Sequence, residues 1–565
     1  MIPPLPDNQQ WLQMYQSVLG MLFERNFGDF LIGSFAADVQ DAWSRAAERW
    51  MQSPERYQTI QEQWQQALDR YNAATKSESN PQSAMRNLRK LHSELRNFMT
   101  MVVDGTPNLS GDDRRILRFC ARQLVNSMSP DFWPLANEEV IKTFFNTGGA
   151  SFIQGLNAFQ QDVKDSVVGL DIKSAGKDDF KVGETLAITP GEVVYQNRLF
   201  QLIQYYPFSQ EVYSTPLLIV PPWINKFYVL DLNPTDSFIQ WAVRQGYTVF
   251  IISWVNPEFE HRDLTLADYL VEGCITAVDT VREITGEDQI SVAGYCIGGL
   301  LAACTAAYLA AKNITSIKTL SLLNTMLDHS EPGDIGVFLS SRMLTALENR
   351  MNENGVLDGR ILRQMFTMLR EDRMFWPYVV NNYFLGKPPK PDPVLFWNQD
   401  ATNIPLPMLI EIIKYMYHEN ILVNSGDYMI SGVNIRLDSI NAAAFILACK
   451  RDHIVPWKSA YNSVHHLGGE NNFVLCDAGH VMGVVNPPNR HRNGFWQTPG
   501  TDYPDNPEHW LDNANWNKGS WWEVWHKWNT RQLSGSVRAR FPGGDGGKII
   551  ERAPGRYVAR TITEA

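Results

Sequence analysis

Apolar positions recur at helical spacing through the first part of the chain, and beyond about residue 190 they gather into short runs separated by polar turns. Residues 7–165 read as helices. Within them Trp43, Trp50, Tyr57, Trp64 and Tyr71 recur every seven residues, which on a helix sets them along one slowly drifting stripe. Ser53-Pro54-Glu55 interrupts that stripe with a helix start, Ser53 as N-cap and Pro54 in the first position, so an amphipathic hairpin is expected and not one rod. The aromatics should pack on neighbouring helices, with part of the stripe open to a hydrophobic partner. The polar stretch 76–83 (KSESNPQS) reads as a link to a helix around 85–103, and Ser110-Gly111-Asp112-Asp113 starts another.

After a second polar stretch at 173–183 the pattern changes. Residues 192–206 (EVVYQNRLFQLIQYY) read as a strand pair, followed by apolar runs at 216–220 (PLLIV), 248–253 (TVFIIS), 289–293 (QISVA), 319–324 (TLSLLN), 443–449 (AAFILAC) and 473–476 (FVLC). Helical patterns separate several of them, among them 300–312 (LLAACTAAYLAAK), which predicts an α/β domain with a parallel sheet covered on both faces. The stretch between Asn324 and Ala443 is far longer than one crossover needs and includes helical segments such as 408–416, so an inserted cap is expected there. The chain thus divides into a helical N-terminal domain over 1–180, an α/β catalytic domain over 181–535 with a cap at about 326–440, and a C-terminal tail over 536–565 containing the flexible-looking GGDGG of 543–547.

Composition narrows the function classes. At 565 residues, with 44% hydrophobic and 20% charged residues, the chain is globular and multidomain. A net charge of −11 has the wrong sign for a protein whose main partner is nucleic acid. The six cysteines form no CxxC, which removes zinc-ribbon and thioredoxin readings and leaves a reduced, cytosolic home as the expectation. The N-terminus has no basic, apolar leader pattern and no long apolar run occurs, so neither secretion nor a transmembrane segment is expected. Phosphate-binding glycine loops and HExxH are absent, and His465-His466 are neighbours that diverge on a helix; no metal is expected.

One window carries chemistry. Between the strand 289–293 and the helix 300–312 lies Gly294-Tyr295-Cys296-Ile297-Gly298, a glycine–nucleophile–glycine elbow with cysteine in the serine position. The glycines are needed because side chains there would collide with the adjoining strand or helix. The elbow places the sulfur at a helix N-terminus, where the dipole favours thiolate, and aims the backbone N–H of Ile297 at a developing oxyanion. Read as an isolated residue, Cys296 would be a buried small apolar side chain, as Cys304 is expected to be. In this fold an acid and a histidine should follow from loops after later strands, and Asp452 after Cys449-Lys450 and His480 in Ala478-Gly479-His480 stand in that order. Taken alone, Asp452 could cap a loop and His480 could be a satisfied surface histidine. His453 is the rival for either role.

These residues resemble the polyhydroxyalkanoate synthases. The resemblance runs over roughly residues 100 to 560 and includes VPPWINKFY from Val220, GYCIGG from Gly294, FWNQD from Phe396, DHIVPW from Asp452, Gly479-His480 with VNPP from Val485, and SWWEVW from Ser520. It implies an α/β-hydrolase fold and, through the elbow and DHIVPW, the class I branch, which polymerises short-chain (R)-3-hydroxyacyl-CoA such as 3-hydroxybutyryl-CoA. Arg451, where an acidic residue is frequent, and Val481-Met482, where Ile-Ala is common, depart from the family pattern and bear on fine specificity.

The resemblance also implies roles. Cys296 attacks the thioester with His480 as proton acceptor, giving an acyl-enzyme and free CoA, and the Asp452 and His480 pair activates the incoming 3-hydroxyl. Backbone groups of the Pro222 to Ile224 loop, at Trp223 and Ile224, stand where this fold supplies its second oxyanion donor; two prolines stiffening a loop is the plainer reading. No cofactor is implied, since the CoA thioester is itself the substrate. Expected partners are the growing polyester, a second copy in a homodimer, and the granule surface with its associated proteins, in the cytoplasm. Two rivals remain: a cysteine-dependent thioesterase or esterase on the same fold, and a non-enzymatic granule scaffold using the Trp-rich segments at both ends.

Overall fold

The computed structural model describes residues 29–75, 81–166, 170–176, 179–353, 355–424, 427–544 and 546–562. The helical reading of 7–28 and most of the link at 76–83 therefore lie outside the described residues. Two compact units emerge, Met1–Gly176 with Asp334–Leu347 and Ile361–Pro391, and Lys177–Gly333 with Glu348–Arg360 and Asp392–Ala565. Among the described residues no helix is long and apolar enough to cross a membrane.

The first unit is built on helices α1 (Asp29–Met51), α2 (Pro54–Thr75), α3 (Pro81–Gly105), α4 (Gly111–Ser127), α5 (Glu138–Asn146) and α6 (Ala150–Asp165). Pro54 opens α2, and Ser110 caps α4 by accepting from the Asp113 N–H, as the local signals require. Trp43, Trp50, Trp64 and Tyr71 are half-buried, and Trp64 lies against Phe98 of α3 with ring centroids 4.5 Å apart. The side chain of Tyr57 lies outside the described residues. Most of the large exposed apolar groups of this unit sit elsewhere, on Leu135, α5 and α6, with Phe144, Phe145, Phe152 and Ile153 in solvent.

Two pieces of the expected cap belong to this helical unit. Phe338 packs on Phe35 and Phe119 at 5.5 and 5.6 Å, and Trp376 stacks on Phe132 at 5.6 Å. The buried carboxylate of Glu371 accepts from Gln123 Nε2 at 2.7 Å and Asn126 Nδ2 at 2.6 Å, which satisfies it inside the helices. The insertion over 326–440 is thus not one body.

The second unit centres on an eleven-stranded sheet. Its strands are β1 (Gly191–Gln196), β2 (Phe200–Tyr205), β3 (Leu217–Val220), β4 (Val249–Trp254), β5 (Ile290–Tyr295), β6 (Ile317–Leu323), β7 (Ala443–Cys449), β8 (Asn471–Cys476), β9 (Gly494–Gln497), β10 (Asn515–Lys518) and β11 (Glu551–Arg552). The order across the sheet is β10-β9-β8-β7-β6-β5-β3-β4-β2-β1-β11. Strands β4, β3, β5, β6, β7 and β8 are parallel, and the remaining pairings are antiparallel. The parallel strands are buried almost throughout, which is why they read as continuous apolar runs.

Helix α7 (Ile297–Ala311) follows β5 directly, starting three residues before the apolar run suggested, and is apolar nearly all round because it is enclosed. Helix α8 (Trp521–Gln532) buries Trp521, Trp522 and Trp525. The segment 536–565, set apart as a tail by its glycines, instead returns to the unit. Ser536–Arg538 pairs with Glu211–Tyr213, and β11 pairs with β1 at the sheet edge. Its strands are short and polar, so no apolar periodicity announced them.

Candidate active site

The site is assembled at the carboxyl ends of β5, β7 and β8. Cys296 sits between β5 and α7 with φ 54° and ψ −128°, a left-handed backbone that a non-glycine residue holds only under constraint from its surroundings. The two glycines of the elbow explain the constraint. A Cβ on Gly294 would come within 2.4 Å of Gly299 Cα, and one on Gly298 within 2.4 Å of the Val220 carbonyl oxygen and 2.6 Å of Pro221. The absence of both side chains lets α7 press against β5 and against the loop that leaves β3. Of the six cysteines, five are buried and Cys296 is half-buried. Burial pushes the Cys304 thiol up to about 12, so Cys304 is an inert core residue of α7.

His480 begins the short helix His480–Val484 after β8, and Asp452 lies in the loop after β7. Their side chains meet, His480 Nδ1 donating to Asp452 Oδ2 at 2.6 Å, with the carboxylate fully buried. The other oxygen, Oδ1, accepts from the backbone N–H groups of Ile454 at 2.8 Å and Val455 at 3.0 Å. It is therefore Asp452, and not its neighbour His453, that orients the ring. With Nδ1 engaged by Asp452, Nε2 is the other ring nitrogen, and Cys296 is near enough to the ring to help raise its pKa. Burial disfavours the charged ring most strongly of all influences on it, but the Asp452 carboxylate and Cys296 together outweigh burial and hold His480 well above its ordinary value.

Tyr295 lies in the elbow itself, whereas Tyr417 and His329 carried no sequence signal for the site. The Tyr295 ring stacks on His480 with centroids 5.4 Å apart and planes at 29°. Tyr417, in the irregular helical turn Ile412–His418, is raised above the ordinary phenol value by burial first and by the neighbouring Cys296 second, so its hydroxyl stays protonated. Behind Tyr417, edge-on at 4.7 Å, lies the buried His329.

The sequence motifs outside Cys296, Asp452 and His480 support the loops around them. Indole N–H groups of Trp521 and Trp522 donate to the carbonyls of Gly483 and Val484 at 2.7 and 2.8 Å, pinning the helix that carries His480, and Trp525 donates to Ser321 Oγ at 2.9 Å. The SWWEVW motif is thus buried structure, against the reading of it as an open scaffold surface. The loop after β3 is tied by the FWNQD motif. Lys226 Nζ lies 2.6 Å from Asp400 Oδ1, Tyr228 donates to Asp400 Oδ2 at 2.9 Å, and Trp397 Nε1 donates to the Lys226 carbonyl at 2.7 Å. Trp223 is buried in this loop, its carbonyl accepting from Thr402 Oγ1 at 3.2 Å, and Ile224 is half-buried beside it.

Comparison with known proteins places this arrangement. Residues 68–242 match the family described as poly-beta-hydroxybutyrate polymerase N-terminus, and residues 216–487 match the alpha/beta hydrolase fold. The chain is 39% identical over 457 residues to a poly(3-hydroxyalkanoate) polymerase of Methylorubrum extorquens, covering 81% of this chain and 75% of that one. The chain belongs to the poly(3-hydroxyalkanoate) polymerase family. Polymerase subunits from Rhizobium etli and Cupriavidus necator are each 37% identical, over 83% and 79% of this chain and 74% and 76% of theirs. As a member of the poly(3-hydroxyalkanoate) polymerase family it is an enzyme of the acyltransferase type on an α/β-hydrolase fold.

Proposed function

We propose that this enzyme joins (R)-3-hydroxyacyl units, delivered as CoA thioesters and short-chain in preference, into a polyester through an acyl group held on Cys296. One observation carries the reading: Cys296, on its strained elbow, neighbours a histidine whose ring is held by a buried aspartate.

The chemistry follows from those groups. His480 Nε2 takes the Cys296 proton as Sγ attacks the thioester carbonyl, and the negative charge that develops on oxygen is met by the Ile297 N–H, with Trp223 or Ile224 on the β3 loop as the second backbone donor. Collapse breaks the carbon–sulfur bond to CoA, which leaves as a thiol after His480 returns the proton. Exchanging one thioester for another is close to thermoneutral. The next step is harder, because the nucleophile is a 3-hydroxyl with a high pKa; His480, its charge stabilised by Asp452, takes that proton while the alkoxide oxygen attacks the acyl-cysteine carbonyl. An ester forms, Cys296 is released, and repetition lengthens the chain. A dry site is required, since water in place of the hydroxyl would end the chain as a free acid.

The helical unit is assigned a separate task, association with the insoluble product, with granule proteins or with a second subunit in the cytoplasm. Its exposed apolar groups at Leu135, Phe144, Phe145, Phe152 and Ile153 suit that task.

Incubation with 3-hydroxybutyryl-CoA, and with C3 to C8 homologues, tests the reading by following free thiol and turbidity together. Polymerisation gives both. Thiol without turbidity makes the protein a hydrolase, and neither signal makes it a scaffold.

A further inference from the structure

Strand β6 ends on a turn that touches both reacting residues through hydrogen bonds. The Cys296 N–H donates to the Leu323 carbonyl at 2.8 Å, and Thr325 Oγ1 donates to the Cys296 carbonyl at 3.0 Å. Between them, Asn324 Nδ2 donates to the backbone carbonyl of His480 at 2.6 Å. Asn324 itself is held by its N–H to the Leu447 carbonyl of β7 at 2.8 Å, and it adopts φ 47°, a left-handed conformation that aims its side chain across the strand ends. Both side chains are buried, at 0% and 1% exposure.

We infer that Asn324 and Thr325 are positioning residues for the acyl transfer, a clamp that sets the spacing of Cys296 and His480. The inference rests on the reading of those two as nucleophile and base. The reason is mechanical. Cys296 and His480 are carried by different loops, after β5 and after β8, and two separate strands stand between them in the sheet. The contact between their side chains must change as the proton moves, so it cannot also fix their separation. The three-residue turn after β6 can, because it grips the backbone of each. Thr325 further holds the unfavourable φ of Cys296 in place, and its hydroxyl fills the space at Gly299, where a Cβ would come within 1.9 Å of it.

The test uses the full-length enzyme with Asn324→Gly, Thr325→Val, Thr325→Ser and the double variant Asn324→Gly/Thr325→Val. Glycine suits φ 47° and removes the carbonyl grip without adding backbone strain, and valine keeps the shape of threonine without its hydroxyl. CoA release from 3-hydroxybutyryl-CoA gives kcat and KM, and calorimetry gives the melting temperature. Each single variant should lower kcat by roughly 10- to 100-fold with KM within about twofold, as misplacement of reacting groups does. Thr325→Ser should recover most of the Thr325→Val loss, and the double variant should be little worse than the poorer single one, since either break uncouples the pair. The clamp is overturned if both single variants stay within about twofold of the parent in kcat, if the losses multiply in the double variant, or if serine is no better than valine. Cys296→Ala is measured alongside: turnover surviving in that variant would instead overturn the nucleophile assignment on which the clamp rests.

Discussion

The Asp452 carboxylate is shared between two tasks, with Oδ2 2.6 Å from His480 Nδ1 and Oδ1 engaged by the backbone N–H groups of Ile454 and Val455. The second set of bonds keeps the carboxylate fixed beneath the ring. Replacing it by asparagine keeps the shape and removes the charge. A thiol at a helix N-terminus needs little help to ionise, whereas a hydroxyl needs a strong base. Asp452→Asn should therefore slow elongation by roughly 10²-fold or more while slowing first acylation much less. Radiolabelled acyl-enzyme would accumulate on the variant; equal slowing of both steps would reduce Asp452 to a purely orienting residue.

Cys296→Ala should abolish CoA release and polymer alike, because the other cysteines are buried. Cys304→Ala is the control. It deletes one buried sulfur from α7, costs about 1 kcal/mol of stability and leaves turnover near the parent value. Quenched-flow detection of released thiol separates the two variants in one experiment.

The elbow at Cys296 was legible in the sequence because it is a local object. Gly294, Cys296 and Gly298 lie within five residues, and the collisions that demand those glycines, with Gly299 and with the chain at Val220 and Pro221, follow from any strand-to-helix turn that tight. The central parallel strands were legible for a similar reason, since burial on both faces leaves no polar alternation to confuse. Strands β9, β10 and β11 were not. They are short, lie at or next to the sheet edges and carry Asn, Gln, Lys or Arg; β9 and β10 are held together instead by the cross-strand contact of Trp496 with Trp516 at 4.5 Å. Nor could the pattern around Phe338 and Trp376 say which core they join, because an amphipathic helix specifies a buried face and not a partner. Tyr417 and Asn324 come near Cys296 and His480 only through the fold, and no spacing in the chain records that.

The buried pair of Lys226 and Asp400 offers a test of how the FWNQD motif acts. Burial lowers the Lys226 ammonium below its ordinary value despite the attraction of Asp400, so the cation depends on that carboxylate. Asp400→Ala leaves it unpaired in the interior and frees the Tyr228 hydroxyl, which should cost roughly 3–5 kcal/mol in denaturant unfolding. Lys226→Met combined with Asp400→Leu removes both charges and should cost much less. A single variant as stable as the double would show that the pair is not an interior ion pair in solution.

His329 gives the protein an acid-sensitive element. Burial is the largest influence on it and lowers its pKa to about 4, with a backbone bond at Leu327 and the nearby Asp328 carboxylate opposing that shift; Tyr417 faces its ring. The unfolded chain takes up this proton at the ordinary histidine value, near pH 6.5, while the folded chain refuses it until near pH 4. Stability should accordingly fall as pH drops through that window, by up to about 3 kcal/mol from this one group. His329→Phe should flatten the corresponding part of the curve of unfolding free energy against pH. An unchanged slope between pH 6.5 and 4.5 would mean that the ring is hydrated or charged in the folded protein.

The aromatic stripe and the exposed apolar face of the helical unit make opposite predictions about association. Trp64 is half-buried against Phe98, and Trp50 approaches Gly105, so these indoles already contribute to the packing of α1, α2 and α3. Trp50→Gln with Trp64→Gln should therefore lower the melting temperature, for a loss of about 2–4 kcal/mol. Leu135 and Phe145 have no such role, at 90% and 75% exposure, and Leu135→Ser with Phe145→Ser should leave the melting temperature nearly unchanged while reducing partition onto polyester particles severalfold. Partition is measured on the folded fraction only, so that the two effects do not mix. If the tryptophan variant keeps its stability and loses partition, the stripe is the contact surface and the assignment to Leu135, α5 and α6 fails.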